Sequence, residues 1–152
     1  MLAVAIGAKD ALHAAFPRIH VDAKVSRQPG SIFDNIRARK QAGRLGAVVV
    51  IGAGTNGTIV ASDLYSLLKQ LKDRTLVILV TCRADRSWIA KNNRIIWAAN
   101  AMFGPGKGNV RVADWVSFSA GHRAWLYADG IHPRPGPGAT AYVTMLRQVM
   151  RV

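Results

Sequence analysis

Four consecutive residues near the C-terminus, Asp129-Gly130-Ile131-His132, have the types and the spacing of a general acid–base pair. An Asp three residues before a His, in a turn that contains glycine, can bring the carboxylate to one nitrogen of the ring. The carboxylate then fixes the ring tautomer, and the other nitrogen is left as a general base. The structural alternative is an Asx turn with an exposed histidine, which is the commoner origin of an isolated pattern of this kind. A second group is therefore needed to support the catalytic interpretation.

Such a group follows the apolar run at 47–51. The run Ala-Val-Val-Val-Ile has no alternation, which is typical of a strand covered on both faces in a parallel sheet. It continues into Gly52-Ala53-Gly54-Thr55-Asn56-Gly57, so the backbone must turn sharply at the carboxyl end of the strand. Open α/β sheets bind their ligands at that end. Asn56 therefore lies where a functional side chain is expected.

The same turn also matches the G-x-G-x-x-G pattern of dinucleotide sites. Two features weigh against that function. Helix signals begin only near Ser62, whereas a pyrophosphate site needs a helix that begins at the glycines. The next predicted strand ends at Thr81 with Arg83 nearby and with no acidic residue for a ribose. Dinucleotide binding and a plain turn without function both remain as less favoured alternatives.

Strands alternating with helices surround these two motifs. Continuous apolar runs predict strands at 47–51 and 75–80, alternation predicts a strand at 20–25, and 109–113 is a short further strand. This alternation implies parallel pairing with right-handed crossovers, and hence a three-layer α/β fold. The predicted helices cover 2–16, 31–44, 62–71, 88–102 and 140–150, Ser62 or Asp63 is the expected cap of the third, and 114–127 is irregular.

Charge is the one unusual feature of the composition. The chain has 21 Lys and Arg against 8 Asp and Glu, which gives a formal net charge of +13. Such a charge attracts polyanions, including nucleic acid, anionic lipid and acidic cell-envelope polymers, without choosing among them. The basic residues are scattered, and no basic stripe is interleaved with aromatics. A solvated surface is therefore the first interpretation, general anion binding the second, and no specific nucleic-acid site is predicted.

Length, cysteine content and hydropathy limit the classes of protein to which this chain can belong. One domain is expected over 1–152, because a chain of 152 residues can bury a sufficient core. The single Cys82 excludes an internal disulfide and a multi-cysteine metal site, and neither a metal nor a cofactor is expected. No apolar run reaches the roughly 18 residues that span a bilayer, and the apolar start MLAVAIGA lacks a basic n-region. These features of the sequence predict a soluble protein that is not exported.

In combination, the two motifs resemble the SGNH hydrolase superfamily. The closer similarity is to extracytoplasmic O-acyltransferase domains related to peptidoglycan O-acetyltransferases, which can be fused to a membrane acyltransferase. Over most of the chain, the order and the spacing of the matching residues agree with those of the family, and so do the residue types. The matching segments are MLAVAIGA, Val21-Asp22-Ala23 with Ser26-Arg27-Gln28, the strand with its GTNG turn, Asn109 to Asp114-Trp115, and Asp129-Gly130-Ile131-His132.

The resemblance implies a flavodoxin-like α/β/α fold and acyl transfer through a seryl ester, to or from a sugar hydroxyl of a cell-envelope glycan. It implies that His132 is the general base and that Asp129 orients it. The family members act outside the cytoplasmic membrane, without a cofactor or metal. The resemblance further assigns the oxyanion hole to Asn56, Gly54, Ser26 and nearby backbone N–H groups, and substrate contacts to Arg27 and Trp115.

This chain departs from the family at the nucleophile. The family's catalytic serine lies in a Gly-Asp-Ser block at the end of the first strand, directly before a segment like Val-Met-Leu, and residues 1–152 begin at that Met-Leu. The block at Ser26 also lacks the family's usual glycine. We therefore expect a domain without its first strand and serine, nearly inactive as given. A start assigned at an internal Met of a longer protein is the favoured explanation, and a short binding protein or decaying pseudoenzyme is the other.

Two further expectations follow from the missing strand. The predicted strands at 20–25 and 47–52 must close up or leave a slot, and unpaired strand edges invite pairing with another chain. The sequence therefore predicts either a rearranged sheet or a homodimer formed through the unpaired strands. The alternative to an enzyme is a non-catalytic binding module for anionic glycan or another polyanion.

Overall fold

The computed structural model describes residues 4–151, in which helices cover both faces of a three-stranded parallel sheet. The strands lie in the order in which they occur in the chain, and each pairs in parallel with the next. This architecture confirms the predicted three-layer α/β fold class. The strands are β1 (Val48–Ile51), β2 (Leu76–Val80) and β3 (Val110–Ala113).

Helices connect the strands and close the fold at both ends. The predicted helix at 2–16 is divided into a 3-10 helix and a short α-helix, and its first residues, 1–3, lie outside the described part of the chain. The α-helices are α1 (Lys9–Ala15), α2 (Pro29–Gln41), α3 (Ala61–Gln70), α4 (Ile89–Phe103), α5 (Trp115–Phe118) and α6 (Pro137–Met150), and the 3-10 helices are Val4–Ala8 and Arg123–Trp125.

Successive strand residues enter two apolar cores on opposite faces of the sheet, as the two-residue repeat of a strand requires. Ile51, Val77 and Leu79 lie under α2, α3 and α4. Ile78 and Val80 lie on the other face, under α1, α5 and α6. Because both faces are covered, the strand residues form continuous apolar runs, which is why the sequence identified them.

Local sequence chemistry sets the helix boundaries that differ from prediction. Both α2 and α6 begin earlier than expected because a proline, Pro29 or Pro137, occupies the first helical position, where its missing N–H costs nothing. Helix α2 ends at Gln41, and Gly43 follows with a φ of 67°, the left-handed conformation that ends helices.

The predicted cap of α3 is wrong. The helix begins after Val60, which makes no side-chain cap hydrogen bond. Asp63 lies inside the first turn, where its carboxylate forms an ion pair with Arg37 of α2. This carboxylate therefore ties two helices together on one face of the sheet.

The predicted strand at 20–25 is absent. These residues join no sheet among 4–151. A cavity of about 830 Å³ separates the segment 15–21 from β1, and both line it. Paired strands lie about 4.8 Å apart, so a segment on the far side of a cavity cannot form ladder hydrogen bonds with β1. Of the two expectations for this region, a closed sheet or a slot, the described residues have the slot.

No helix within residues 4–151 has the length and apolar character needed to cross a membrane.

Candidate functional site

The Asp129–His132 motif occupies the tip of a hairpin-like loop, 126–133, between β3 and α6. The two end residues of the loop form an antiparallel bridge. Inside it, the Tyr127 N–H donates to the His132 carbonyl at 2.9 Å, and the Gly130 N–H donates to the Tyr127 carbonyl at 2.9 Å. Gly130 has a φ of 69°, a conformation that glycine adopts without strain. The turn brings Asp129 and His132 side by side.

The Asp129 carboxylate binds the histidine ring and the turn backbone at the same time. Its Oδ2 lies 2.7 Å from Nδ1 of His132. Its Oδ1 accepts hydrogen bonds from the N–H groups of Ile131 at 2.8 Å and His132 at 3.1 Å. The Asx turn and the Asp–His pair, which are alternatives in the sequence, are therefore one structure. An ionised carboxylate only accepts hydrogen bonds, so Nδ1 carries the ring proton and Nε2 is the basic nitrogen.

The same contacts keep Asp129 ionised. Partial burial would raise the pKa of this carboxyl group, but the hydrogen bonds from the His132 ring and from the N–H groups of Ile131 and His132 outweigh it. The pKa of Asp129 is therefore below its ordinary value. A carboxylate in this state can stabilise a positive charge on the neighbouring ring.

Arg123 holds the outer side of this loop, and sequence reasoning missed it. Its guanidinium donates to the carbonyls of Tyr127 and Ala128, both at 2.7 Å. The inner side packs against the N-terminal 3-10 helix so closely that a Cβ on Gly7 would lie 2.0 Å from the Pro133 carbonyl oxygen. No pattern in the irregular segment before the motif distinguishes Arg123 from the other scattered arginines.

His132 lines a cavity of about 430 Å³. Three of the large apolar residues that are exposed in this structure, Ile6, Val25 and Tyr127, also line it. Asp10 of α1 is the one acidic residue among the described residues of the wall. The cavity therefore presents a basic nitrogen beside a mostly apolar surface that is open to solvent. Asn56 is not part of this lining.

The turn after β1 is held by a buried side chain of α4, Asn92, which sequence reasoning also missed. Its Nδ2 donates to the carbonyls of Gly54 and Gly57, both at 2.8 Å, and its Oδ1 accepts from the Ile59 N–H at 2.8 Å. Asn92 is fully buried. A signal was present, because Asn92 shares the apolar face of its helix with Ile96, four residues later.

The two segments that are predicted to form the oxyanion hole, the turn after β1 and the loop of Ser26, are in contact. Gln28 Nε2 donates to the backbone carbonyl of Asn56 at 2.7 Å, which joins the Ser26 block to the turn after β1. Gly57 provides the space, since a Cβ there would lie 2.1 Å from Gln28 Oε1. Ser26 has a φ of 58°, the left-handed conformation that favours glycine. The serine therefore takes this conformation at a conformational cost.

The two predicted substrate contacts have structural roles. Trp115 is 1% exposed, and its ring packs edge-on against Tyr142 of α6 with centroids 5.1 Å apart. It is a core residue, and the prediction that it contacts substrate is wrong. Arg27 forms an ion pair with Asp22 at 2.7 Å and is largely buried. Its guanidinium fixes the loop that carries Ser26, and a substrate contact for it stays a prediction.

The part of the chain that the structure describes holds neither a metal-binding cluster nor a reactive cysteine. Residues 4–151 contain no group of three or more His, Cys, Asp or Glu side chains that could hold a metal ion. Burial raises the pKa of the Cys82 thiol to about 12, so this cysteine is not a nucleophile at neutral pH. The described residues therefore offer an acid–base pair and a constrained turn.

Sequence comparison finds related proteins of much greater length. The O-acetyltransferase OatA of Staphylococcus aureus is 31% identical over 117 residues, which are 76% of this chain and 19% of that protein. The putative peptidoglycan O-acetyltransferase YrhL of Bacillus subtilis is 28% identical over 141 residues, which are 92% of this chain and 21% of that protein. The chain thus spans about a fifth of the curated relatives it matches. No protein-family model matches it.

Structure comparison agrees on the fold. The C-terminal catalytic domain of Streptococcus pneumoniae peptidoglycan O-acetyltransferase A, solved with a methylsulfonyl adduct, superposes with a TM-score of 0.81 at 23% identity, over 98% of this chain and 88% of that one. A family 3 carbohydrate esterase from Talaromyces cellulolyticus has a TM-score of 0.62 at 16% identity, over 86% of this chain and 72% of that one. The chain therefore has an SGNH hydrolase-like α/β fold, and it is similar in sequence to part of the peptidoglycan O-acetyltransferases.

Proposed function

We propose that this domain provides the base and the oxyanion site of a serine esterase or O-acyltransferase that acts on acyl groups of cell-envelope glycans. The observation that carries the proposal is the 2.7 Å contact between Asp129 Oδ2 and His132 Nδ1, beside a cavity that the histidine lines. The names of the relatives make peptidoglycan the first candidate glycan.

In the proposed reaction, an alcohol oxygen attacks the acyl carbonyl carbon and its proton passes to Nε2 of His132. The ionised Asp129 stabilises the imidazolium that forms. The ester C–O bond then breaks, and the proton on Nε2 goes to the departing alcohol oxygen. The acyl group thereby moves from one oxygen to another, and the histidine returns to its starting tautomer.

Negative charge develops on the acyl oxygen during this attack. We assign its stabilisation to Asn56, Gly54 and the backbone at Ser26. The support is that Gln28 joins the two loops and that Asn92 holds the turn in place before substrate arrives. Such preorganised donors are worth about 3–4 kcal/mol each in acyl-transfer enzymes.

The attacking serine is not among these residues, since 1–152 contain no Gly-Asp-Ser block. We therefore propose that the 152 residues by themselves are nearly inactive. In a longer form, the proposed partners are an acylated glycan and a membrane acyltransferase that delivers the acyl group. From the sequence, we also propose that the chain forms a homodimer through the edge of β1.

A binding module for anionic glycan is the alternative function. The net charge of +13 favours it. A binding module needs no proton transfer, so it places no requirement on His132. The variants described next separate the two functions.

Adding a strand that ends in Gly-Asp-Ser to the N-terminus should restore ester hydrolysis. Because the serine supplies the attacking oxygen, we expect the extended chain to hydrolyse 4-nitrophenyl acetate at least about 100-fold faster than residues 1–152. Replacement of the added serine by alanine is the control. An extended chain as slow as the control would refute the acyl-transfer proposal.

In the extended chain, Asp129→Asn should lower kcat by about 10⁴. An asparagine keeps an oxygen for the Ile131 N–H but turns an N–H group toward Nδ1, which moves the ring proton to Nε2 and removes the base. Thermal unfolding should change little. Asp85→Asn, at an exposed acid in the loop after β2, is the matched control. Full activity in Asp129→Asn or in His132→Ala would leave only the binding-module alternative.

Asn92→Asp should destabilise the turn after β1. The change removes the two N–H donors of Nδ2 and leaves the buried carbonyls of Gly54 and Gly57 facing an oxygen, at an expected cost of about 2–4 kcal/mol. Asn35→Asp is the control, because Asn35 on α2 makes no side-chain hydrogen bond among the described residues. Urea unfolding followed by circular dichroism gives the two free energies. Equal losses for both variants would show that Asn92 does not hold the turn.

A further inference from the structure

The solvent side of helix α4 combines two cations with exposed apolar side chains. Seven residues of the helix are exposed, and at 3.6 residues per turn they share an arc of about 140°, opposite the buried Asn92, Ile96 and Ala99. Trp97 and Met102 are 46% and 50% exposed. The seven residues, here named the α4 face, are Ala90, Lys91, Arg94, Trp97, Ala98, Ala101 and Met102.

Apart from its two cations, the α4 face is apolar. A surface helix of a globular protein usually places charged and polar residues opposite its core side. Here those positions hold an indole, a thioether and three alanines. The aromatic rings that pack in pairs within residues 4–151 do not include that of Trp97. Packing inside the domain therefore does not account for an indole at this position.

The charge around the α4 face is of one sign. Residues 86–113 contain five lysines and arginines and no aspartate or glutamate. Neither Lys91 nor Arg94 forms an ion pair within the described part of the chain. Lys107 adds a further cation at the other end of the face, because its Nζ donates to the Ala101 carbonyl at 2.9 Å. No acid of its own segment therefore neutralises the positive potential of this face.

We infer that the α4 face docks onto an anionic membrane surface, with the helix axis parallel to the bilayer plane. Trp97 and Met102 enter the boundary between the headgroups and the acyl chains, where an indole keeps its N–H among polar groups. Lys91 and Arg94 lie between them around the helix and contact lipid phosphates. The contact is peripheral, since no helix within residues 4–151 can cross a membrane. This inference is independent of acyl transfer, because it uses no residue of the acyl-transfer site.

Two other occupants fit less well. A second copy of the chain would bring two sets of unneutralised cations together, at a Coulombic cost. A soluble anionic polymer would neutralise Lys91 and Arg94, but it has no apolar part with which to cover Trp97 and Met102. An anionic bilayer offers phosphates and hydrocarbon at the same surface, so it satisfies both parts of the α4 face.

The test is co-sedimentation of the chain with vesicles made of phosphatidylglycerol and phosphatidylcholine in equal amounts. We expect saturable binding that weakens as the salt concentration rises. Vesicles of phosphatidylcholine alone should bind at least about tenfold more weakly, because they offer the cations no net negative charge. Brominated acyl chains in the anionic vesicles should quench the tryptophan fluorescence of the bound chain. Trp97→Phe should still bind but should lose most of this quenching.

Two further variants test whether the α4 face is the part that binds. Trp97→Ala removes the interfacial ring, and the double variant Lys91→Gln/Arg94→Gln removes the charges. Each should weaken binding to the anionic vesicles at least about fivefold. Circular dichroism should be unchanged, because all three side chains are exposed. The matched control, Lys9→Gln/Arg151→Gln, removes two exposed cations beside α1 and α6, on the other face of the sheet, and should bind normally.

Several results would overturn the inference. Equal losses in the control and in Lys91→Gln/Arg94→Gln would make the attraction a property of net charge alone. Normal binding of Trp97→Ala, or full quenching in Trp97→Phe, would place another part of the chain at the bilayer. Without vesicle binding, the inference fails. Binding of polyphosphate that depends on Lys91 and Arg94 would then assign the face to a soluble polymer, and a dimer that Trp97→Ala dissociates would assign it to a second copy.

Discussion

The Asp129 carboxylate is the group on which the chemistry of this domain depends. One of its oxygens accepts from two backbone N–H groups and so shapes the turn, and the other orders the His132 ring and its tautomer. Bonds to an ionised acceptor are stronger than neutral ones, so the turn and the tautomer stabilise each other. The carboxylate, Gly130 and the histidine lie within four residues, so the contacts that pair the two side chains are local, while Arg123 holds the loop from outside.

The second loop of the site depends on a different device. No local carboxylate shapes the turn after β1, and the buried amide of Asn92 reaches it from α4 instead. Gln28 then connects this turn to the loop of Ser26. The turn lies at the carboxyl end of β1, where open α/β sheets bind ligands, and the Gln28 contact brings to it a loop that follows no strand among residues 4–151. The similarity to peptidoglycan O-acetyltransferases gives this shared edge its chemical interpretation.

The sequence predicted the features that depend on near neighbours. Buried strands appear as continuous apolar runs, and the Asp129–His132 contact spans three residues. It failed where distant residues decide the outcome. The alternation at 20–25 is that of a strand's side chains, but a cavity separates the neighbouring segment 15–21 from β1, and 20–25 joins no sheet among residues 4–151. Trp115 follows a matching motif, yet its packing against Tyr142 of α6 buries it.

The central claim is that His132 and Asn56 act on one and the same acyl group. It is tested most directly by NMR titration of the isotopically labelled chain with an O-acetylated methyl glucoside, following the His132 ring nitrogens and the Asn56 side-chain amide together. The account predicts that both signals shift saturably with a single Kd. A shift of one signal without the other, or two different dissociation constants, would contradict it.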